Sequence, residues 1–219
     1  VFEDADLYLA VKGTIAGKFR CSGQTCVCPN RVYVHERLHK AFLEQLTAAV
    51  KALKVGGPFE SDVQVGPLIN AKGLAKVEDH VARTRAAGGK VLTGGGRHER
   101  GDNFYQPTVL DGGDIDLFIH EETFGPVVPV FAFKTEAEAI ALANASEYGL
   151  ASYIFTEDLN RAMRAAQAIE AGMVGVNLGL MSNAANPFGG VKQSGFGREG
   201  SIYGIEEYLQ VKAVTLGLR

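Results

Sequence analysis

The chain has 219 residues, a formal net charge of −3 and three cysteines. The length suits one domain of α/β type with ample volume for a core, and the charge gives no electrostatic case for a nucleic-acid or anionic-membrane partner. No apolar run approaches the roughly 18 residues of a membrane helix, no basic-then-apolar leader is present, so no secretory signal is expected, and cysteines clustered at Cys21, Cys26 and Cys28 fit a reduced, cytoplasmic compartment better than a disulfide framework.

Residues 3–20 read as a helix, with Leu7, Leu9, Val11 and Ile15 apolar and acids in the first turn. Arg31–His35 alternates like a strand, and residues 37–53 return to helical spacing until Gly56-Gly57-Pro58 breaks it. A helix over 70–87 leads to a short strand at Lys90–Thr93, and Phe104–Leu110 reads as another. Val127–Phe133 is a continuous apolar run, as expected of a strand buried on both faces. Helix 135–145, strand 150–156, helix 158–170 and strand 173–177 then alternate, which predicts a mostly parallel sheet flanked by helices. Residues 178–203 are rich in Gly, Ser and Asn and predict a long loop, a feature that is usually functional. Tyr208–Leu216 alternates like a strand and would expose an edge.

Cys26 is the first candidate for chemistry. It lies in Gly23-Gln24-Thr25-Cys26-Val27-Cys28, where a polar turn opens an apolar run. A thiolate adds readily to a carbonyl carbon, whereas a lone cysteine is more commonly a buried structural residue. Two other motifs invite attention. Gly195-Phe196-Gly197-Arg198-Glu199-Gly200 has G-x-G-x-x-G spacing, but a polar loop precedes it and fewer than 20 residues follow, so a dinucleotide-binding βαβ unit does not fit. His35-Glu36-Arg37-Leu38-His39 matches the zinc-peptidase pattern, but His35 ends a strand and no third histidine follows at the extended spacing, so no metal site is expected. His80, His98 and His120 are expected at the surface.

The thiol motif, Glu121-Glu122-Thr123-Phe124-Gly125-Pro126 and Pro187-Phe188-Gly189-Gly190-Val191-Lys192-Gln193-Ser194-Gly195 together resemble the aldehyde dehydrogenase superfamily from end to end. The resemblance implies that Cys26 attacks an aldehyde to form a thiohemiacetal, that hydride passes to NAD or NADP, and that water hydrolyses the thioester. It implies that the Cys26 N–H helps to hold the oxyanion, that Glu122 accepts hydrogen bonds from the nicotinamide ribose and that Phe124 packs near the nicotinamide. It also implies a catalytic domain over residues 1–203 and an oligomerisation strand over 204–219. The cofactor-binding domain, the general-base glutamate and the asparagine oxyanion donor are expected outside this chain, with the full-length enzyme a homo-oligomer.

Cys26 followed by Cys28 is similar to the succinate-semialdehyde branch of that family. A short carboxylated aldehyde needs a cation, because an unpaired anion is costly to desolvate. Arg20 and Ser182 match that branch's substrate-carboxylate residues, and a guanidinium can hold a carboxylate bidentately. Cys21 stands where that branch usually carries Asn. Cys28 is expected to form a peroxide-sensitive redox pair with Cys26, as two residues on one face of an extended segment. Another aldehyde such as glutarate semialdehyde, a catalytically silent scaffold and a zinc peptidase are the alternatives.

Overall fold

In the computed structural model, which describes residues 1–218, the elements run α1 (Leu7–Phe19), β1 (Val32–His35), α2 (Glu36–Lys51), α3 (Ala71–Ala86), β2 (Lys90–Thr93), β3 (Thr108–Asp111), α4 (Ile115–His120), β4 (Val127–Phe133), α5 (Glu136–Asn144), β5 (Tyr148–Gly149), β6 (Ala151–Ile154), α6 (Leu159–Ala168), β7 (Met173–Val176) and β8 (Val191–Lys192). Side chains begin the helices. Asp6, Asn70, Asp114, Thr135 and Asp158 each accept a backbone N–H of the first turn, and His35 Nδ1 does so for α2.

The main sheet has the order β1-β4-β3-β2, with β4 parallel to both β1 and β3. Its alternation sorts the core into two layers. Val34, Val109, Val128 and Val130 pack with α1 and α2, and Leu110, Val127 and Phe131 pack with α3 and α4. Each such side chain contributes about 1.5–3 kcal/mol on burial. β6 and β7 form a second parallel pair. Residues 1 and 2 bridge the two sheets. The Val1 amine donates to Tyr33 O and the Val1 carbonyl accepts from His35 N, while Phe2 N donates to Phe155 O. The fold is therefore α/β and mostly parallel, as expected.

Five details differ from the sequence reading. α1 starts at Leu7, because Asp6 caps it and leaves Glu3 and Asp4 for ion pairs. β2 runs antiparallel to β3, since no helix between them carries the crossover that a parallel connection needs. Strand 104–110 shrinks to Thr108–Asp111, with Tyr105 making an isolated bridge to Arg97 before Pro107. The expected strand over Tyr208–Leu216 is not formed: those residues pair with no strand edge, and Val211, Val214 and Leu216 stand exposed. The short α4, capped by Asp114, was not foreseen.

Arg161 of α6 ties the first residues to the second sheet. It pairs with Glu3 at 2.8 Å, Asp4 at 2.6 Å and Glu136 at 3.3 Å, and stacks over the Phe2 ring. Burial pushes the Asp4 carboxyl up, but the Thr156 hydroxyl, backbone N–H groups and Arg161 together hold it below the usual range. Glu3 and Glu136 are also held low, Glu136 chiefly by Arg164. A carboxylate with a depressed folded pKa contributes stability above its unfolded value of about 4, and that stability is lost as pH falls through the folded value. Arg161→Met should lower the urea midpoint at pH 7 and flatten its decline below about pH 4. An unchanged acid slope in the variant would refute a stabilising role for the network.

Candidate active site

The thiol segment begins with a stretch of left-handed backbone. Cys21, Ser22 and Gly23 have φ of 49°, 59° and 74°, a conformation only glycine adopts freely. It stops α1 after Phe19 and reverses the chain. Cys28 N–H then donates to Thr25 O at 3.0 Å, so Cys26 occupies a tight turn. The extended segment expected for Cys26–Cys28 is thus replaced by a turn, and the strand starts only at Val32. A turn draws residues two apart closer than an extended chain does, further inside the separation a disulfide needs. Cys26 is exposed, and among the described residues no acceptor takes its backbone N–H.

This turn is gripped from four directions. Ser22 Oγ donates to Gly66 O and accepts from Gly66 N, while Gln24 accepts from Ile69 N at 2.9 Å and donates to Pro67 O. Gly23 lies against the Gly125 carbonyl so closely that an added Cβ would overlap it. Tyr153 of β6 donates to Val27 O at 2.8 Å. Asn30 accepts from Thr123 N at 2.9 Å and donates to Phe118 O at 2.9 Å and Glu121 O at 2.8 Å. Two of the sequence motifs therefore meet backbone to backbone.

Cys26, Cys28, Lys76, Glu122 and Tyr153 line one cleft of about 710 Å³. Glu122 is exposed as a residue, yet desolvation pushes its carboxyl above the usual range against the pull of Lys76 and Lys18. Lys18, at the end of α1, is only 1% exposed. Burial pushes its ammonium down to about 8, with Cys28 and Glu122 pulling the other way. Phe124 lies two residues beyond Glu122 with φ 52° and is not among the cleft-lining side chains.

Arg20 is exposed at the foot of α1, and among the described residues its guanidinium makes no ion pair. The Tyr153 phenol is pushed up to about 12 by burial first and then Cys28, with Arg20 opposing and Cys26 adding. Arg20 is not among the residues that line the cleft, but its carbonyl lies 3.9 Å from the Cys28 thiol. Ser182 does not share the cleft. It lines a separate hollow of about 330 Å³ with Met181, Asn183 and Pro187. The loop that carries it reaches α1 nevertheless, because Gly179 packs on the backbone at Gly13 and Gly17.

Other motifs fall elsewhere. Both His35 nitrogens are engaged, Nδ1 with Arg37 N and Nε2 with Lys134 O, so His35 serves the fold. Gly195 and Gly197 turn a loop with φ of 93° and 88°, and among the described residues no α-helix follows. His80 corrects an expectation: it is fully buried, not at the surface, and bonds Thr123 Oγ1 at 3.1 Å. Its place on the Leu74-Val77-Val81-Thr84 face of α3 was the available signal. Asn30, Lys18 and Tyr153 were missed as site residues, since their partners lie far along the chain.

An α/β domain that lifts a thiol on a braced turn, beside a desolvated carboxyl, can bring a nucleophile to a carbonyl carbon. The chain belongs to the aldehyde dehydrogenase family, whose match covers residues 1–214. It is 52% identical over 218 residues to the glutarate-semialdehyde dehydrogenase of Pseudomonas aeruginosa, covering 99% of this chain and 45% of that protein. It is 51% identical over 219 residues to the Escherichia coli succinate-semialdehyde dehydrogenase [NADP(+)] GabD, covering 100% of this chain and 45% of that protein. The crystal structure of succinate-semialdehyde dehydrogenase from Burkholderia pseudomallei matches with a TM-score of 0.93 and 55% identity, over 95% of this chain and 43% of that one. The chain spans less than half the length of these relatives.

The left-handed stretch gives two substitutions of opposite sign. Gly23→Ala should cost at least about 2 kcal/mol, from the φ penalty and the overlap with Gly125. Cys21→Asn should stabilise by roughly 0.5–1 kcal/mol, because Asn enters this region more readily and Cys21 is exposed. Urea unfolding of both variants checks the pair. A destabilising Cys21→Asn would show that the thiol itself is needed there.

Proposed function

We propose that this chain is the catalytic-domain portion of an NAD(P)-dependent aldehyde dehydrogenase acting on a short semialdehyde that ends in a carboxylate, with succinate semialdehyde as the preferred substrate. The observation that carries the reading is that Cys26 and Glu122 share the wall of one cleft. Cys26 Sγ adds to the aldehyde carbon, and the Cys26 N–H, which no acceptor takes among the described residues, would hold the oxyanion of the thiohemiacetal, a contact worth a few kcal/mol. Bound NAD or NADP supplies the ring that accepts hydride. The Glu122 carboxyl, on the cleft wall, would accept from the ribose hydroxyls, with Phe124 two residues on in the same loop. Water then releases the acid from the Cys26 thioester.

Arg20 would hold the distal carboxylate, assisted by Ser182. Arg20 has no competing ion pair among the described residues, and relatives named for succinate and for glutarate semialdehyde are equally similar. Glutarate semialdehyde is therefore the second reading. We further propose that Cys28 pairs reversibly with Cys26 under peroxide, and that the exposed apolar residues of 208–218 meet a second copy in a homo-oligomer.

In the intact protein, Cys26→Ala should abolish the covalent acyl adduct seen by mass spectrometry, whereas Cys28→Ala should retain substantial turnover. An adduct on Cys28 in the unsubstituted enzyme would overturn the assignment.

Arg20→Ala should lower kcat/KM for succinate semialdehyde by about 10- to 150-fold, the worth of one charged hydrogen bond. The loss should be much smaller for a neutral aldehyde of similar length, and Ser182→Ala should lose less. Equal losses for charged and neutral aldehydes would reduce Arg20 to a structural role.

A further inference from the structure

We infer that Tyr153 is a positioning residue for Cys26, one that fixes the nucleophile's turn from the far side of the fold. The inference rests on the reading of Cys26 as nucleophile. The Tyr153 hydroxyl donates to Val27 O at 2.8 Å, across 126 positions of sequence. The N–H of the same peptide unit, that of Cys28, donates to Thr25 O at 3.0 Å. The plane joining Val27 to Cys28 is therefore held at both ends and cannot rotate without breaking a bond.

Cys26 and Val27 are the two central residues of the turn that the Cys28 N–H to Thr25 O bond closes, so holding the Val27–Cys28 plane limits how far the backbone at Cys26 can turn and, with it, the direction of its side chain. No neighbouring side chain does this instead. Cys26 Sγ is exposed and makes no hydrogen bond among the described residues, while Cys28 Sγ is engaged by Thr25 Oγ1 at 3.0 Å. Tyr153 is itself well placed to act as a fixed donor. It sits on β6 in register with Gly175 of β7, whose missing side chain makes room for the ring. Its phenol also lines the cleft that holds both thiols.

The test compares the intact protein with Tyr153→Phe, which keeps the ring and removes only the donor. Iodoacetamide labelling at pH 6–10, read peptide by peptide in the mass spectrometer, gives separate rates for Cys26 and Cys28. Tyr153→Phe should change the Cys26 rate by at least 5-fold and lower kcat by about 5- to 100-fold, with KM for the aldehyde within 3-fold. That range follows from leaving the Val27 carbonyl without its partner. Incorporation of 3-fluorotyrosine at position 153 keeps the hydroxyl and should return both rates to within 2-fold of the unsubstituted protein. Phe42→Val, a buried change in α2, serves as a control for stability loss alone and should leave Cys26 labelling unchanged.

If Tyr153→Phe lowers the urea midpoint but leaves Cys26 labelling and kcat within 2-fold, Tyr153 only supports the fold. If Phe42→Val changes Cys26 labelling as much, the effect is general loosening and the inference fails. Turnover that survives Cys26→Ala would remove the nucleophile reading separately, because labelling needs no aldehyde chemistry.

Discussion

The site depends on a backbone-to-backbone contact between Gly23 and the Gly125 carbonyl. No side chain can stand between them, so the left-handed turn after α1 is pressed directly on the loop that carries Glu122 and Phe124. Asn30 closes the same gap from the other end, with three hydrogen bonds to Phe118, Glu121 and Thr123. A thiol and a carboxyl from segments nearly 100 positions apart are thus held by short, rigid connections. Such connections matter because a shift of about 1 Å at a reacting centre can cost on the order of 10²-fold in rate.

A second close approach serves the other side of the cleft. α1 has Gly13 and Gly17 one turn apart on one face, and Gly179 lies on that bare backbone. The loop that carries Ser182 is therefore referenced to the helix whose next residues are Lys18, Phe19 and Arg20. A single helix sets both the cation and the loop proposed for an anionic tail. Lys18 adds a buried cation at the end of α1, its pKa lowered by burial. Its pull on Glu122 is outweighed by desolvation, which raises that carboxyl.

Much of the fold was legible because it rests on local signals. The helical spacing over 37–53, 70–87, 135–145 and 158–170 and the apolar run Val127–Phe133 point to the elements that form. What could not be read depends on partners remote in sequence. The Cys26 turn needs the Tyr153 and Gly66 contacts that hold it, whereas the antiparallel β2 could have been read from the two successive strands with no helix between them. His80 was misread for a related reason: a polar residue on an apolar helical face is buried only when a partner awaits it, and Thr123 lies 43 positions away. Ser182 was matched by its motif alone, and the structure seats it in a neighbouring hollow, linked to the cleft through α1 and not by direct contact.

The left-handed stretch also accounts for a departure in the sequence. Cys21 stands where an asparagine is usual in the branch it resembles, at φ 49°, with Ser22 at 59° beside it. Two non-glycine residues in succession bear this conformation only where the surroundings over-determine it. Ser22 is held by its paired bonds to Gly66, and Gln24 N–H donates to Cys21 O at 3.1 Å. Strain is therefore concentrated in the three residues that turn α1 toward Cys26, and the strap at 66–69 opposes its release. The same bonds that tolerate a cysteine at position 21 are the ones that keep the Cys26 turn in place, so fold stability and site geometry are coupled through one short segment.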